Sequence, residues 1–193
     1  GTAAEASKAK KYYHAAAEGN LAQACYFLYQ MYRYNFMHVA NDPAESMRWL
    51  QKARRFGNKD IQAQTLRELA GIYYPGSEKN TASDLKGFKT NIDSTVFYLQ
   101  QALRLDTTDM WTLDFLGGIY EDKKNYEQSL YYYSRSRNEQ SQLKIALWMA
   151  SGKHVPRNTK KAIAITQTVL QKLINEDAYT KETIYNYMGV LNP

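Results

Sequence analysis

A phrase that returns five times constrains this chain more than any other feature. Its copies begin Lys8-Ala9-Lys10-Lys11-Tyr12-Tyr13, Glu45-Ser46-Met47-Arg48-Trp49, Asp93-Ser94-Thr95-Val96-Phe97, Gln128-Ser129-Leu130-Tyr131-Tyr132 and Lys161-Ala162-Ile163. The small residue near the start of each falls at 9, 46, 94, 129 and 162, giving steps of 37, 48, 35 and 33. A unit of that size cannot bury its own apolar face, so a sequence built this way must stack its units against one another.

A second phrase alternates with the first. It reads Ala24-Cys25-Tyr26-Phe27-Leu28-Tyr29-Gln30-Met31-Tyr32, then Thr65-Leu66-Arg67-Glu68-Leu69-Ala70-Gly71-Ile72-Tyr73, then Thr112-Leu113-Asp114-Phe115-Leu116-Gly117-Gly118-Ile119-Tyr120. Weaker copies start at Ser141 and Thr183. Apolar residues recur at helical spacing, as in Ala24, Leu28, Met31 and Tyr32, and no stretch alternates with period two long enough for a strand. A small residue beside a large aliphatic one lets two helices approach closely. Tyr29 breaks that rule in the first copy, so a wider helix pair is expected there.

Turn chemistry sets the boundaries. Asp42 before Pro43 reads as an N-cap with Pro at the first helical position, and Asn158 precedes another helix start. Gly19 and Gly57 read as left-handed residues closing helices. The spacing predicts helices at roughly 4–18, 21–35, 43–56, 60–74, 92–105, 108–121, 124–137, 139–151 and 159–175, with a tenth beginning near 179. The 48-residue step comes from a polar excursion at 75–91, which reads as a tolerated surface insertion.

These residues resemble the Sel-like repeats, a branch of the tetratricopeptide superfamily. The loop Met149-Ala150-Ser151-Gly152-Lys153-His154-Val155-Pro156-Arg157-Asn158 followed by Lys161-Ala162 matches the family phrase, as does Lys8-Ala9 through Tyr12-Tyr13 to Gly19-Asn20. Leu116-Gly117, Tyr120, Tyr126 and Tyr133 look more like a plain tetratricopeptide repeat. His154 stands where the family has a second loop glycine. The resemblance implies an all-α, right-handed solenoid of antiparallel helix pairs with nine to ten helices. It divides the chain, as a single repeat domain, into a half-unit at 4–20, units at about 21–58, 59–106, 107–138 and 139–177, and a half-unit at 178–193. The open ends suggest a piece of a longer array. The resemblance leaves the compartment open, the bacterial cell envelope included.

No run of about 18 apolar residues is present, so nothing reads as a transmembrane helix. The single Cys25 excludes an intrachain disulfide and reads as a buried thiol. His14, His38 and His154 lie on different units without ligand partners at useful spacing, and no phosphate loop, dinucleotide turn or nucleophile elbow occurs. No catalytic residue, metal site or cofactor is therefore expected.

Binding is the remaining reading. In the resemblance the first helix of each unit lines a concave surface, and the residues between its packing positions face a partner. Here these are Tyr26, Gln30, Arg33, Gln64, Arg67, Tyr74, Trp111, Asp114 and Glu121, with side chains of the types enriched at interfaces. The expectation is a non-enzymatic scaffold for a protein or peptide. The net charge of +6 and seventeen tyrosines motivate a nucleic-acid-binding alternative. Against it, a base-reading repeat needs the same side chain at the same position in each unit, and those positions read Tyr26, Arg67, Asp114 and Leu143. A regulatory repeat segment of a larger enzyme or signalling protein is the third reading. The basic run Arg48, Lys52, Arg54, Arg55 and Lys59 falls on the opposite, outer helix and reads as a solvated face.

Overall fold

The computed structural model describes residues 3–35, 39–75 and 89–175. Within them the chain is all-helical: α1 (Ala3–Glu18), α2 (Ala22–Arg33), α3 (Pro43–Phe56), α4 (Lys59–Tyr73), α5 (Ile92–Leu105), α6 (Met110–Asp122), α7 (Tyr126–Arg135), α8 (Glu139–Ser151) and α9 (Thr159–Asn175). The tenth helix expected near 179, most of the excursion at 75–91, and His38 lie outside the described residues. Contacts group the helices into two compact units, residues 1–107 and 108–193. In the first, α2 packs on α3 and α4 on α5; in the second, α6 packs on α7 and α8 on α9.

Short polar side chains start nearly every helix. Asp42 Oδ1 accepts from the Ala44 and Glu45 amides at 3.0 Å each. Asn58, Asn91, Asp109, Asn125, Asn138 and Asn158 each cap the helix that follows. Each such cap satisfies amides that the helix itself leaves without acceptors. The residues flanking the excursion after α4 meet: the Asn91 amide donates to the Tyr73 carbonyl at 2.8 Å.

The helix-closing glycines behave differently from the expectation. Gly57 has φ −74°, which any residue can adopt. Its requirement is space, since a Cβ there would lie 2.6 Å from Ile61 Cγ2 and 2.7 Å from the Ala53 carbonyl oxygen. After α1 the left-handed residue is Asn20, φ 66°, rather than Gly19. Gly152, in the loop after α8, does take the left-handed conformation at φ 68°.

The second phrase is one packing register used repeatedly. Positions one, two, five, six and eight are buried in α2 (Ala24, Cys25, Leu28, Tyr29, Met31), in α4 (Thr65, Leu66, Leu69, Ala70, Ile72) and in α6 (Thr112, Leu113, Leu116, Gly117, Ile119). At the sixth position of α6 the partner helix comes close. A Cβ on Gly117 would sit 2.5 Å from the Tyr133 ring. In the second unit Ser129 Oγ donates to the Gly117 carbonyl at 2.7 Å; in the first, Thr95 Oγ1 donates to the Ala70 carbonyl at 3.3 Å.

That pairing corrects the third copy of the first phrase by one residue. Thr95, fully buried, is the equivalent of Ser129, and Ser94 is not. Tyr98 then matches Tyr132, and the rings confirm it: Tyr98 stacks on Tyr73 at 5.5 Å as Tyr132 stacks on Tyr120 at 5.5 Å. Phe97, the residue aligned by sequence, is 54% exposed. In the first copy Tyr29 fills the sixth position, and the hydroxyl of Ser46, the residue facing it, is buried without a hydrogen-bond partner.

Candidate partner-binding face

α2, α4 and α6 leave positions three, four and seven of the phrase partly open, and the residues expected to contact a partner stand there or at the helix ends, except Gln64, which directly precedes the phrase. In the first unit Tyr26, Gln30, Gln64, Arg67 and Tyr74 are half-buried. Tyr26 lies beside Gln64, which shares a hydrogen bond with it. Arg33 is different, at only 7% exposed. The chain turns back across the end of α2 there: Asn41 Nδ2 donates to the Arg33 carbonyl at 3.0 Å and the Asp42 amide to the Tyr32 carbonyl at 3.1 Å. The Arg33 guanidinium lies 5.7 Å from the centre of the Tyr34 ring.

The centre of this face is a residue the sequence reading passed over. Glu68 on α4 accepts from the Tyr26 hydroxyl at 2.8 Å, the Tyr29 hydroxyl at 2.6 Å and the Tyr34 hydroxyl at 3.4 Å. Burial raises the pKa of all three phenols, and the negative charge of Glu68 raises them further, so they stay protonated donors. A signal was present in the sequence. Glu68 occupies the fourth position of its phrase, where two other copies carry Phe27 and Phe115.

In the second unit Asp114 and Glu121 of α6 are engaged by α8. Ser141 Oγ donates to Asp114 Oδ1 at 2.6 Å. Lys144 Nζ donates to Glu121 Oε2 at 2.7 Å, and the Tyr133 hydroxyl donates to the same oxygen at 3.0 Å. Burial first, then the hydrogen bond to Glu121, pushes the Tyr133 pKa upward. Trp111 is 51% exposed, braced edge-on by Phe115 at 5.1 Å, next to Met110 at 48%.

The chemical candidates are held in the packing. Cys25 is fully buried, with Sγ 3.7 Å from the Ala17 carbonyl oxygen, and burial raises its pKa. His14 sits edge-on to Trp49 at 5.3 Å and 3.1 Å from the Tyr32 hydroxyl; burial, then Lys10, lowers its pKa. His154 stacks on Tyr126 at 3.9 Å. Part of the basic run is neutralised: Arg48 and Lys52 pair with Glu18 at 3.4 and 3.2 Å. Among the described residues no group of three His, Cys, Asp or Glu side chains is arranged to hold a metal. No described helix is long and apolar enough to cross a membrane.

The architecture is that of a Sel1-like, tetratricopeptide-type helical repeat. It is similar to a Sel1 repeat protein from Oxalobacter formigenes, with TM-score 0.61 and 20% identity over 86% of this chain and 64% of that one. It is also similar to c5321, a protective antigen of uropathogenic Escherichia coli with this fold, at TM-score 0.63 and 21% identity over 85% of this chain and 33% of that one. A third similar structure is MamA, at TM-score 0.54 and 16% identity, covering 91% and 93% of the two chains. The chain thus spans less than two thirds of the first two proteins. By sequence, no family model and no curated protein matches it.

Proposed function

We propose that this helical repeat is a scaffold without chemistry of its own, holding a protein or extended peptide against an open helix face: that of α2 and α4 in the first unit, or that of α6 and α8 in the second. Trp111 carries the reading. A half-exposed tryptophan braced by a second ring, with Met110 beside it, has no evident packing duty, and such side chains dominate interface energetics. Gln64, Arg67 and Tyr74 offer the first unit amide, guanidinium and phenol groups of the kind that fix an extended chain.

The test is partner capture from a lysate of the source cells, with captured proteins identified by mass spectrometry and rebound as purified protein. Trp111→Ala and the pair Arg67→Glu with Tyr74→Ala should weaken rebinding, while Arg54→Glu with Arg55→Glu should leave it nearly intact. For a nucleic-acid ligand the order would invert, and binding would fall steeply with added salt. Equal rebinding by every variant would remove the reading.

A further inference from the structure

Glu68 is a carboxylate surrounded by phenols. Among the described residues no cationic side chain reaches ion-pair distance of it; Arg33 stops one residue away, hydrogen-bonded to the Tyr34 hydroxyl. Its Oε1 accepts one hydrogen bond and Oε2 two, and a carboxylate oxygen has two lone-pair sites, so Oε1 retains room for another donor. The cluster opens to water, because Glu68 is only half-buried and Tyr34 is 51% exposed.

The second unit holds the same constellation with its cation in place. Lys144 Nζ lies 2.7 Å from Glu121 Oε2, 3.4 Å from the Tyr133 hydroxyl and 5.2 Å from the centre of the Tyr133 ring. One ammonium therefore gains a carboxylate, a phenol oxygen and a ring face together.

We propose that the Glu68–Tyr26–Tyr34 cluster receives a lysine ammonium from a bound protein, in the role Lys144 plays beside Glu121. The inference rests on the partner-binding reading and names its chemistry in the first unit. An acidic side chain would meet repulsion from Glu68, and an apolar one would leave the carboxylate no better paired.

The experiment is an NMR titration of the isotope-labelled protein with end-blocked hexalysine, hexaglutamate and fully Nε-acetylated hexalysine. Hexalysine should give saturable shifts centred on Tyr34 and Glu68, and its acetylated form none. Glu68→Gln should weaken hexalysine binding by about tenfold or more, and Tyr34→Ala should weaken it severalfold. Hexaglutamate should respond to Arg54→Glu instead. Absence of saturable hexalysine shifts in the wild type, equal binding of the acetylated peptide, or unchanged affinity in a folded Glu68→Gln would each overturn the proposal. Should Glu68→Gln unfold, the acetylated peptide and Tyr34→Ala still decide it. A failed titration alongside weakened partner capture by Trp111→Ala would remove the lysine site and leave the scaffold reading standing. Capture left intact by every variant would remove the scaffold reading itself.

Discussion

Glu68 in the first unit and Glu121 in the second are both carboxylates on a face helix, and both accept from buried tyrosine hydroxyls. Only Glu121 has an ammonium, supplied by Lys144 on the neighbouring face helix. One arrangement has its cation within its unit, and the other is held by phenols with one acceptor site left open. The difference teaches that polar satisfaction and charge satisfaction are separable. Three phenols can hold a carboxylate at little folding cost and leave its charge to an outside group.

The largest expected effects test which aromatics hold the units and which face outward. Trp49 is fully buried in the first unit, so Trp49→Ala should cost about 3–5 kcal/mol by urea denaturation. Trp111→Ala in the second should stay within about 0.5 kcal/mol, as expected for an exposed surface position. Similar losses from both would mean that Trp111 is a core residue and not an interface one.

Next come the glycines of the repeated register. Gly117→Ala would force the Tyr133 ring away and pull its hydroxyl from Glu121, at about 1–3 kcal/mol. Gly71→Ala meets nothing within 4 Å and should stabilise the first unit by roughly 0.5 kcal/mol through helix propensity. Calorimetry on the two variants reads opposite signs.

The Lys144→Met substitution sharpens the comparison directly. It removes a part-exposed ion pair, so the stability loss should be about 1 kcal/mol or less. It also converts Glu121 into a second carboxylate held by a phenol and no ammonium. Hexalysine should then shift resonances around Glu121 as well as Glu68.

The smallest effect is acid sensitivity. The folded-state pKa of His14 lies below its ordinary 6.5, so the fold favours the neutral ring. Its contribution is full above pH 6.5 and is lost as pH falls through the depressed value. Glu18 and Glu139, with pKa values lowered by hydrogen bonds from Lys52 and Lys172, lose theirs only below the ordinary 4.5. His14→Gln should flatten the melting temperature just below pH 6.5 and leave the steeper fall below 4.5.

Much of the fold was legible because packing in a repeat is local and recurs. All nine described helices begin and end within two residues of the spacing-based boundaries, α7 being two residues shorter than expected at each end. The register of the third copy was not legible, because Ser94 and Thr95 are both small and only the hydrogen bond to the Ala70 carbonyl distinguishes them. Arg33 could not be placed either, since its burial depends on the return of residues 39–42 across the helix end.

The sequence by itself determined the helices, the caps at Asp42 and Asn158, the helix pairing and most of the half-open positions, because each follows from spacing within about forty residues. The tertiary structure alone decided what those positions do. Tyr26, Tyr29 and Tyr34 meet Glu68 across 34 to 42 residues, and Lys144 meets Glu121 across 23. Charge pairing is a property of distance in space, and periodicity fixes only which face a side chain leaves from.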